Sequence, residues 1–310
     1  MNNKRYQVIV VGGGLAGLTA GLYCARSMLD CLLIEKGIIG GKIINAEQVE
    51  NYPGFPGGIS GTRLAQLVHE QAASYGLESL PAEVTSLVPG DRQNLVNTSE
   101  GDLITEVVII ASGSRFRKLG VRGEDDLIGK GVSYCATCDG PLFKDKAVAV
   151  IGGGNAAITE ALQLSKFASR VSVIHRRNQL AASKILIEKT KASPNIDFIW
   201  DTAVAEVEGK GTVEQLRLKN TKNATISTLR ISGVFVAVGL EPDTGYLQGI
   251  LPLDKEGYVI TNELMETGVP GILAAGDVRH NSVRQAITAA GDGATAAVSA
   301  ERFLGRLGHY

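Results

Sequence analysis

Cys135 and Cys138 are separated by two residues, in the stretch Ser133-Tyr134-Cys135-Ala136-Thr137-Cys138-Asp139-Gly140. Two thiols at that spacing can close a small disulfide ring and exchange it with the disulfide of another protein. The same pair could seed a metal site, but zinc usually takes four ligands. Cys24 and Cys31 lack matching spacing, and His69, His175, His280 and His309 are scattered along the chain. Redox chemistry is therefore expected and a metal is not. Cys24 and Cys31 read as core packing, since a free cysteine often behaves as a small buried hydrophobe. Asp139 has two readings: an acid–base group for thiol–disulfide exchange, or a turn-forming aspartate ahead of Gly140.

Two similar segments must position this chemistry. The first runs from an apolar strand, Val8 to Val11, into Gly12-Gly13-Gly14-Leu15-Ala16-Gly17, a small-residue helix, and a second strand ending at Glu35. The second runs from Val148 to Ile151 into Gly152-Gly153-Gly154-Asn155-Ala156-Ala157, a helix, and a strand ending at His175. Strand, glycine turn, helix and strand together are the signature of dinucleotide-binding folds. Gly12 and Gly152 make the tight turn. Gly14 and Gly154 let a pyrophosphate approach the helix N-terminus, and Gly17 or the small Ala157 lets the helix lie close to its strand. A single glycine motif is weak evidence, but two copies in the same context are much stronger.

The residue that ends the second strand reads the adenosine ribose. Glu35 accepts hydrogen bonds from ribose hydroxyls and repels a 2′-phosphate, so FAD or NAD suits the first copy. His175 is followed by Arg176 and Arg177, whose guanidinium groups can hold a 2′-phosphate. A solvated pair of loop charges is the plainer reading of those arginines, but their register at the strand end favours the phosphate. The expectation is FAD in the first domain and NADPH in the second.

The fold class that follows is α/β, with two Rossmann-like dinucleotide-binding domains and the nicotinamide domain inserted into the FAD domain. Apolar runs at Val107 to Ala111, Val234 to Gly239 and Gly271 to Asp277 read as further strands, and Val283 to Leu304 as a long helix. The boundaries expected are 1–114 and 244–310 for a discontinuous FAD-binding domain. Residues 115–243 form the NAD(P)H-binding domain with the cysteine pair. The 310 residues suffice for two cores. A net charge of −1 suggests neither nucleic acid nor an acidic membrane surface as partner. Without a bilayer-length apolar run or a secretory leader, a cytoplasmic protein is expected.

Over nearly its whole length the chain resembles low-molecular-weight thioredoxin reductases of the bacterial type. The resemblance is carried by the two glycine turns, Glu50-Asn51-Tyr52-Pro53-Gly54, Cys135-Ala136-Thr137-Cys138-Asp139 and His175-Arg176-Arg177. It extends through Gly271 to Asp277, Arg284-Gln285-Ala286 and Ala289-Ala290-Gly291-Asp292-Gly293. It implies that Cys138 faces the flavin, that Cys135 attacks the partner's disulfide and that Asp139 is the acid–base group. It places Asn51 near the isoalloxazine, Asp277 on the ribityl chain, Lys42, Gly113 and Gly276 in the FAD site, and Arg284, Gln285 and Ala286 at the start of the final helix beside the flavin. Asn155 and Ala156 join the NADPH site. It further implies a homodimer, a thioredoxin or thioredoxin-like partner, and domain rotation about Ser112-Gly113 and Gly239 to Pro242.

Two positions depart from that pattern. The basic motif normally reaches a further Arg where this chain has Ala181, and Lys42 stands where relatives commonly carry Gln. Two alternatives stay beside the main reading: a flavin disulfide reductase drawing on ferredoxin or another donor, and a flavin redox sensor without turnover.

Overall fold

The computed structural model describes residues 4–46 and 48–308; His309, one of the four histidines named above, lies outside them. The chain divides into two units, one taking residues up to Arg115 and again from Glu241, the other running Phe116–Leu240.

The first unit opens with β1 (Lys4–Val11), α1 (Leu15–Arg26) and β2 (Cys31–Glu35). Val8, Ile9 and Val10 are fully buried, as a continuous apolar run must be when a parallel sheet is covered on both faces. β1 lies parallel to β2, with Val10 opposite Leu33. The helix α2 (Gly61–Ser74) follows, its N-terminus capped by the Ser60 hydroxyl, which accepts from the Arg63 N–H at 3.2 Å. Then come β3 (Glu78–Pro81), β4 (Val84–Val88), β5 (Asn94–Thr98) and β6 (Gly101–Ile110). The sheet order is β3-β2-β1-β6-β5-β4. β6 pairs antiparallel with β5 through its first half and lies parallel to β1, with Ile109 opposite Val10. The chain leaves this unit through β7 (Ser114–Phe116).

The second unit begins with β8 (Val132–Ser133) and the short helix α3 (Ala136–Asp139), which carries the cysteines. Next come β9 (Ala147–Ile151), α4 (Asn155–Leu164), β10 (Arg170–Ile174), α5 (Lys184–Lys191) and β11 (Ile196–Ile199). An antiparallel meander, β12 (Thr202–Glu208), β13 (Gln215–Asn220) and β14 (Ile226–Arg230), leads to β15 (Gly233–Val236). The parallel sheet reads β11-β10-β9-β15-β8. Its glycine turn follows the central strand, the topological switch point where such sheets bind ligands.

The chain returns through β16 (Leu240–Pro242) and completes the first unit with β17 (Ile272–Ala274), parallel to β6, and α6 (Ala286–Arg306). The units part at Arg115/Phe116 and Leu240/Glu241, inside β7 and β16, rather than in the loops beyond them. The expected boundaries, 114/115 and 243/244, lie one and three residues away because no composition break marks a short strand. The last helix begins at Ala286, not at Val283: Arg284 has φ 56°, and Gln285 with Thr288 forms a capping box. Ala290, Gly293, Ala296, Ala297 and Ala300 give α6 a buried small-residue face, and a Cβ on Gly293 would fall 2.1 Å from the Ala16 carbonyl oxygen. That contact packs α6 against α1 and fixes the helix that follows the first glycine turn. No described helix is long and apolar enough to cross a membrane.

One buried group makes stability pH-dependent. Glu160, on α4, has a carboxylate oxygen out of solvent with no hydrogen-bond partner, and burial pushes its pKa from 4.5 up to about 8. The native chain then keeps a proton that the unfolded chain releases, so stability falls as pH rises from about 4.5 to about 8. Glu160→Gln removes that ionisation. Its Tm is expected to exceed the wild type at pH 8.5 and to match it at pH 5; thermal unfolding at both pH values checks this.

Candidate functional site

In the first unit, β1 runs directly into Gly12, which has φ 108° and whose Cβ would fall 2.3 Å from the Ala111 carbonyl oxygen. Only glycine meets both demands. Gly17 is held by sterics, since a Cβ there would lie 1.8 Å from the Gly12 oxygen. Gly14 is the N-cap of α1 and gives no side-chain cap; a Cβ on it would meet only the Gly41 Cα, at 4.0 Å. The first N–H groups of α1 therefore face an open cradle, the environment a pyrophosphate needs. The second unit repeats the arrangement. Gly154 caps α4 without a side-chain bond, and nothing lies within 4 Å of where its Cβ would be.

The middle glycines, which the motif leaves unspecified, have a role in both copies. A Cβ on Gly13 would press on the Glu35 side chain at 3.1 Å, and one on Gly153 on the His175 ring at 2.5 Å. Each lets the residue at or just past the end of the second strand, Glu35 or His175, lie across its turn. The Glu35 carboxylate accepts from the Gly13 N–H at 2.6 Å and the Gly37 N–H at 2.7 Å. It borders a cavity of about 380 Å³ whose far side is built by Ser112, Arg115, Asp243 and Tyr246. Of those four only Ser112 carries a sequence signal, and as part of a hinge rather than of a cavity wall. Lys36 adds to that wall by pairing with Asp243 at 3.0 Å.

Beside the α1 N-terminus, just past Gly41, Lys42 donates to Asp277 at 2.8 Å and also bonds the Ser114 hydroxyl. Gly276, with φ 79°, sits over Ala16, and its N–H donates to Asp292 at 3.1 Å. The same carboxylate takes two bonds from Arg279, at 3.0 and 3.1 Å, and Arg279 donates a third to Thr261. This half-buried pair pins the turn that displays Asp277. Arg279 is absent from the sequence-based set, and its partner thirteen residues away offers no local cue. Asn51 donates to Gln285 at 3.0 Å, and the Arg284 guanidinium lies 4.6 Å over the Tyr258 ring. Ala286 packs partly buried beside Leu15. Gly113, with φ 68°, has open space where a Cβ would be.

In the second unit, Cys135 and Cys138 form a disulfide with Cα atoms 5.4 Å apart. Cys135 is the N-cap of α3, and the Cys138 N–H donates to its sulfur at 3.1 Å. Asp139 ends α3, with its N–H bonded to the Cys135 carbonyl. Cys138 is exposed and Cys135 half-buried. The segment is held from behind by Glu124, 1% exposed, which accepts from the N–H groups of Leu119 and Gly120 and from the Tyr134 hydroxyl. Burial, then the Glu124 carboxylate, pushes the Tyr134 phenol up. Cys24 and Cys31 are free and buried, and the Cys31 thiol is raised well above its ordinary value by its bond to Cys24 and by burial. Thiols of that kind are unreactive. Among the described residues no group of three His, Cys, Asp or Glu side chains could hold a metal.

Arg176 and Arg177 are exposed just past the end of β10, and burial together with those two charges lowers the His175 pKa. The Ala181 N–H donates to the Gly153 carbonyl at 2.8 Å, and the Asn155 side chain accepts from the Ser183 N–H at 2.7 Å. The segment 181–183 thus lies over the second glycine turn, with Ala156 exposed beside it.

Two uncapped helix N-termini behind glycine turns, with a dithiol pair, are the parts of a nicotinamide-linked disulfide oxidoreductase. Residues 6–293 match the family of pyridine nucleotide-disulphide oxidoreductases. The chain is 45% identical over 303 residues to a thioredoxin reductase of Streptomyces coelicolor, covering 97% of this chain and 94% of that one. It superposes on the Lactococcus lactis thioredoxin reductase with a TM-score of 0.94 and 38% identity, covering 97% and 99% of the two chains. For the T. acidophilum thioredoxin reductase the values are 0.91 and 34%, covering 98% and 100%. The chain belongs to the pyridine nucleotide-disulphide oxidoreductases, and within them to the thioredoxin reductases, enzymes that use FAD and NADPH.

The two backbone bonds to Glu35 generate a prediction. In Glu35→Gln one of the two N–H groups faces an amide NH₂ instead of an oxygen, which costs about 1–3 kcal/mol. Urea unfolding of the apoprotein should show that loss. FAD released from the variant, read by its fluorescence, should appear at a Kd at least tenfold higher.

Proposed function

We propose that this chain passes electrons from NADPH through FAD in the first unit to the Cys135–Cys138 disulfide, and from there to thioredoxin or a thioredoxin-like protein. The observation that carries the reading is the Cys135–Cys138 disulfide on a short helix, with Asp139 beside it and a second dinucleotide cradle in the same unit. FAD, when bound, supplies the two-electron transfer between the nicotinamide and the disulfide.

The protein's own groups do the rest. Reduction of the disulfide takes two electrons and up to two protons, and Asp139, next to Cys138, is the group that holds and returns a proton. Cys138 receives the electrons. Cys135, as thiolate, attacks one sulfur of the partner's disulfide; Cys138 then attacks Cys135 and releases the partner as a dithiol. In the first unit Gly12, Gly14, Ala16, Gly17 and Glu35 hold the pyrophosphate and adenosine. Lys42, Asn51, Gly113, Gly276, Asp277, Arg284, Gln285 and Ala286 surround the flavin arm. In the second unit Gly152, Gly154, Asn155 and Ala156 form the nicotinamide cradle, with His175, Arg176 and Arg177 on the 2′-phosphate. Family membership also supports a homodimer, and the two reduced, buried cysteines suit a reducing, cytoplasmic setting.

The test is an anaerobic titration of the yellow protein with NADPH and, separately, NADH. Bleaching at low NADPH and recovery on adding oxidised thioredoxin is the expected result. A flavin bleached by dithionite but by neither nucleotide would overturn the donor assignment and point to ferredoxin. Because the Ala181 backbone lies on the second glycine turn, an Arg there would reach the bound phosphate. Ala181→Arg is expected to lower the KM for NADPH roughly tenfold, the effect of one charge-assisted hydrogen bond, and to leave that for NADH nearly unchanged. Steady-state kinetics with both nucleotides checks it.

A further inference from the structure

The first unit carries a pair of charges, Lys42 and Asp277, that is not among the residues lining the Glu35 cavity. The seat for a pyrophosphate is the α1 N-terminus, and the cavity beside Glu35 takes the adenosine arm. The other arm of a dinucleotide must leave past the other segments that press against the start of the helix. Those are Gly41, whose Cβ would lie 3.0 Å from the Gly14 Cα, and Gly276, whose Cβ would lie 2.8 Å from the Ala16 Cβ. The next residue along the chain in each segment is charged: Lys42 and Asp277.

The Lys42 ammonium is not a mobile surface charge. It lies 2.8 Å from Asp277, bonds the Ser114 hydroxyl, and the two charged side chains are only 30% and 18% exposed. Two partners from distant parts of the chain, one on β7 and one just past β17, hold it in one place. Asp277 is itself oriented through its turn by the Arg279–Asp292 pair. A carboxylate alone at this position would oppose the arrival of electrons on a nearby group. The lysine cancels that field, and in a partly buried site the cancellation is screened far less than in water.

We propose that Lys42 is a positioning residue that sets how easily the flavin is reduced, by compensating Asp277 with a fixed positive charge beside the flavin arm. The proposal rests on the reading that this unit holds FAD. A nicotinamide donor gives up one hydride and becomes positive, and the flavin that takes the hydride gains one negative charge. A fixed cation close by favours that product, and its loss disfavours it.

The experiment measures the two-electron potential of the bound flavin against a reference dye. It uses the full-length holoprotein with Cys135 and Cys138 both replaced by Ser, so that the disulfide takes up no electrons. In that background Lys42→Gln should lower the equilibrium constant for reduction at least tenfold, about 30 mV for a two-electron couple. Lys42→Arg should stay within threefold of the parent. Asp277→Asn, which leaves the lysine uncompensated, should shift the constant upward. A Lys42→Gln protein within threefold of the parent overturns the proposal, as does a Lys42→Arg protein that falls as far as the Gln variant. Should Lys42→Gln fail to retain FAD, the Arg and Asp277→Asn variants decide by the same criteria. A parent protein that retains no FAD overturns the flavin reading itself and the proposal with it.

Discussion

A helix N-terminus that no side chain caps is the constraint from which both units are built. Four backbone N–H groups at the start of a helix need partners, and at α2 a side chain supplies one, the Ser60 hydroxyl. At α1 and α4 the cap is glycine, the space above it is open, and a bound pyrophosphate is the natural partner. Leaving these ends open requires that everything around them be closely fixed. Gly17 against the Gly12 carbonyl holds α1 to its strand, and Gly293 against Ala16 holds α6 to α1. In the second unit the buried Ala157 has the place of Gly17.

Two side chains at strand ends are arranged around those helix ends. Glu35 and His175 occupy equivalent strand ends, and each lies over a middle glycine that makes room for it. Their chemistry differs in one respect that matters for the ligand. Glu35 is a carboxylate already accepting two backbone N–H bonds, whereas His175, its pKa lowered by burial and by neighbouring charge, is followed by two guanidinium groups. The first suits free ribose hydroxyls, the second a phosphate.

The disulfide depends on a different kind of support. Its helix is one turn long and too short to be stable alone. The Glu124 carboxylate gathers two backbone N–H groups and the Tyr134 hydroxyl, so the residue just before Cys135 is anchored in a buried network. An exposed Cys138 and a half-buried Cys135 on a base held by Glu124 are a geometry in which one disulfide can be opened without reshaping the unit around it.

The sequence by itself determined whatever depends on neighbours along the chain. The two glycine turns, the strand ends at Glu35 and His175, the Cys135–Cys138 pair and the inserted order of the units all follow from local spacing, because strand, turn and helix are contiguous. Tertiary structure alone decided what depends on distant segments meeting. Lys42 with Asp277, Asn51 with Gln285, and the cavity wall at Asp243 and Tyr246 join residues from across the insertion, and Arg279 meets Asp292 thirteen residues on, past the start of a helix. The start of α6 lies between these cases. Its small-residue pattern reaches back to Val283, but the left-handed backbone at Arg284 and the Gln285–Thr288 capping box set the first turn at Ala286. Periodicity records which residues can face a core, whereas a backbone reversal and a pair of charges brought together from distant segments exist only once the chain has folded.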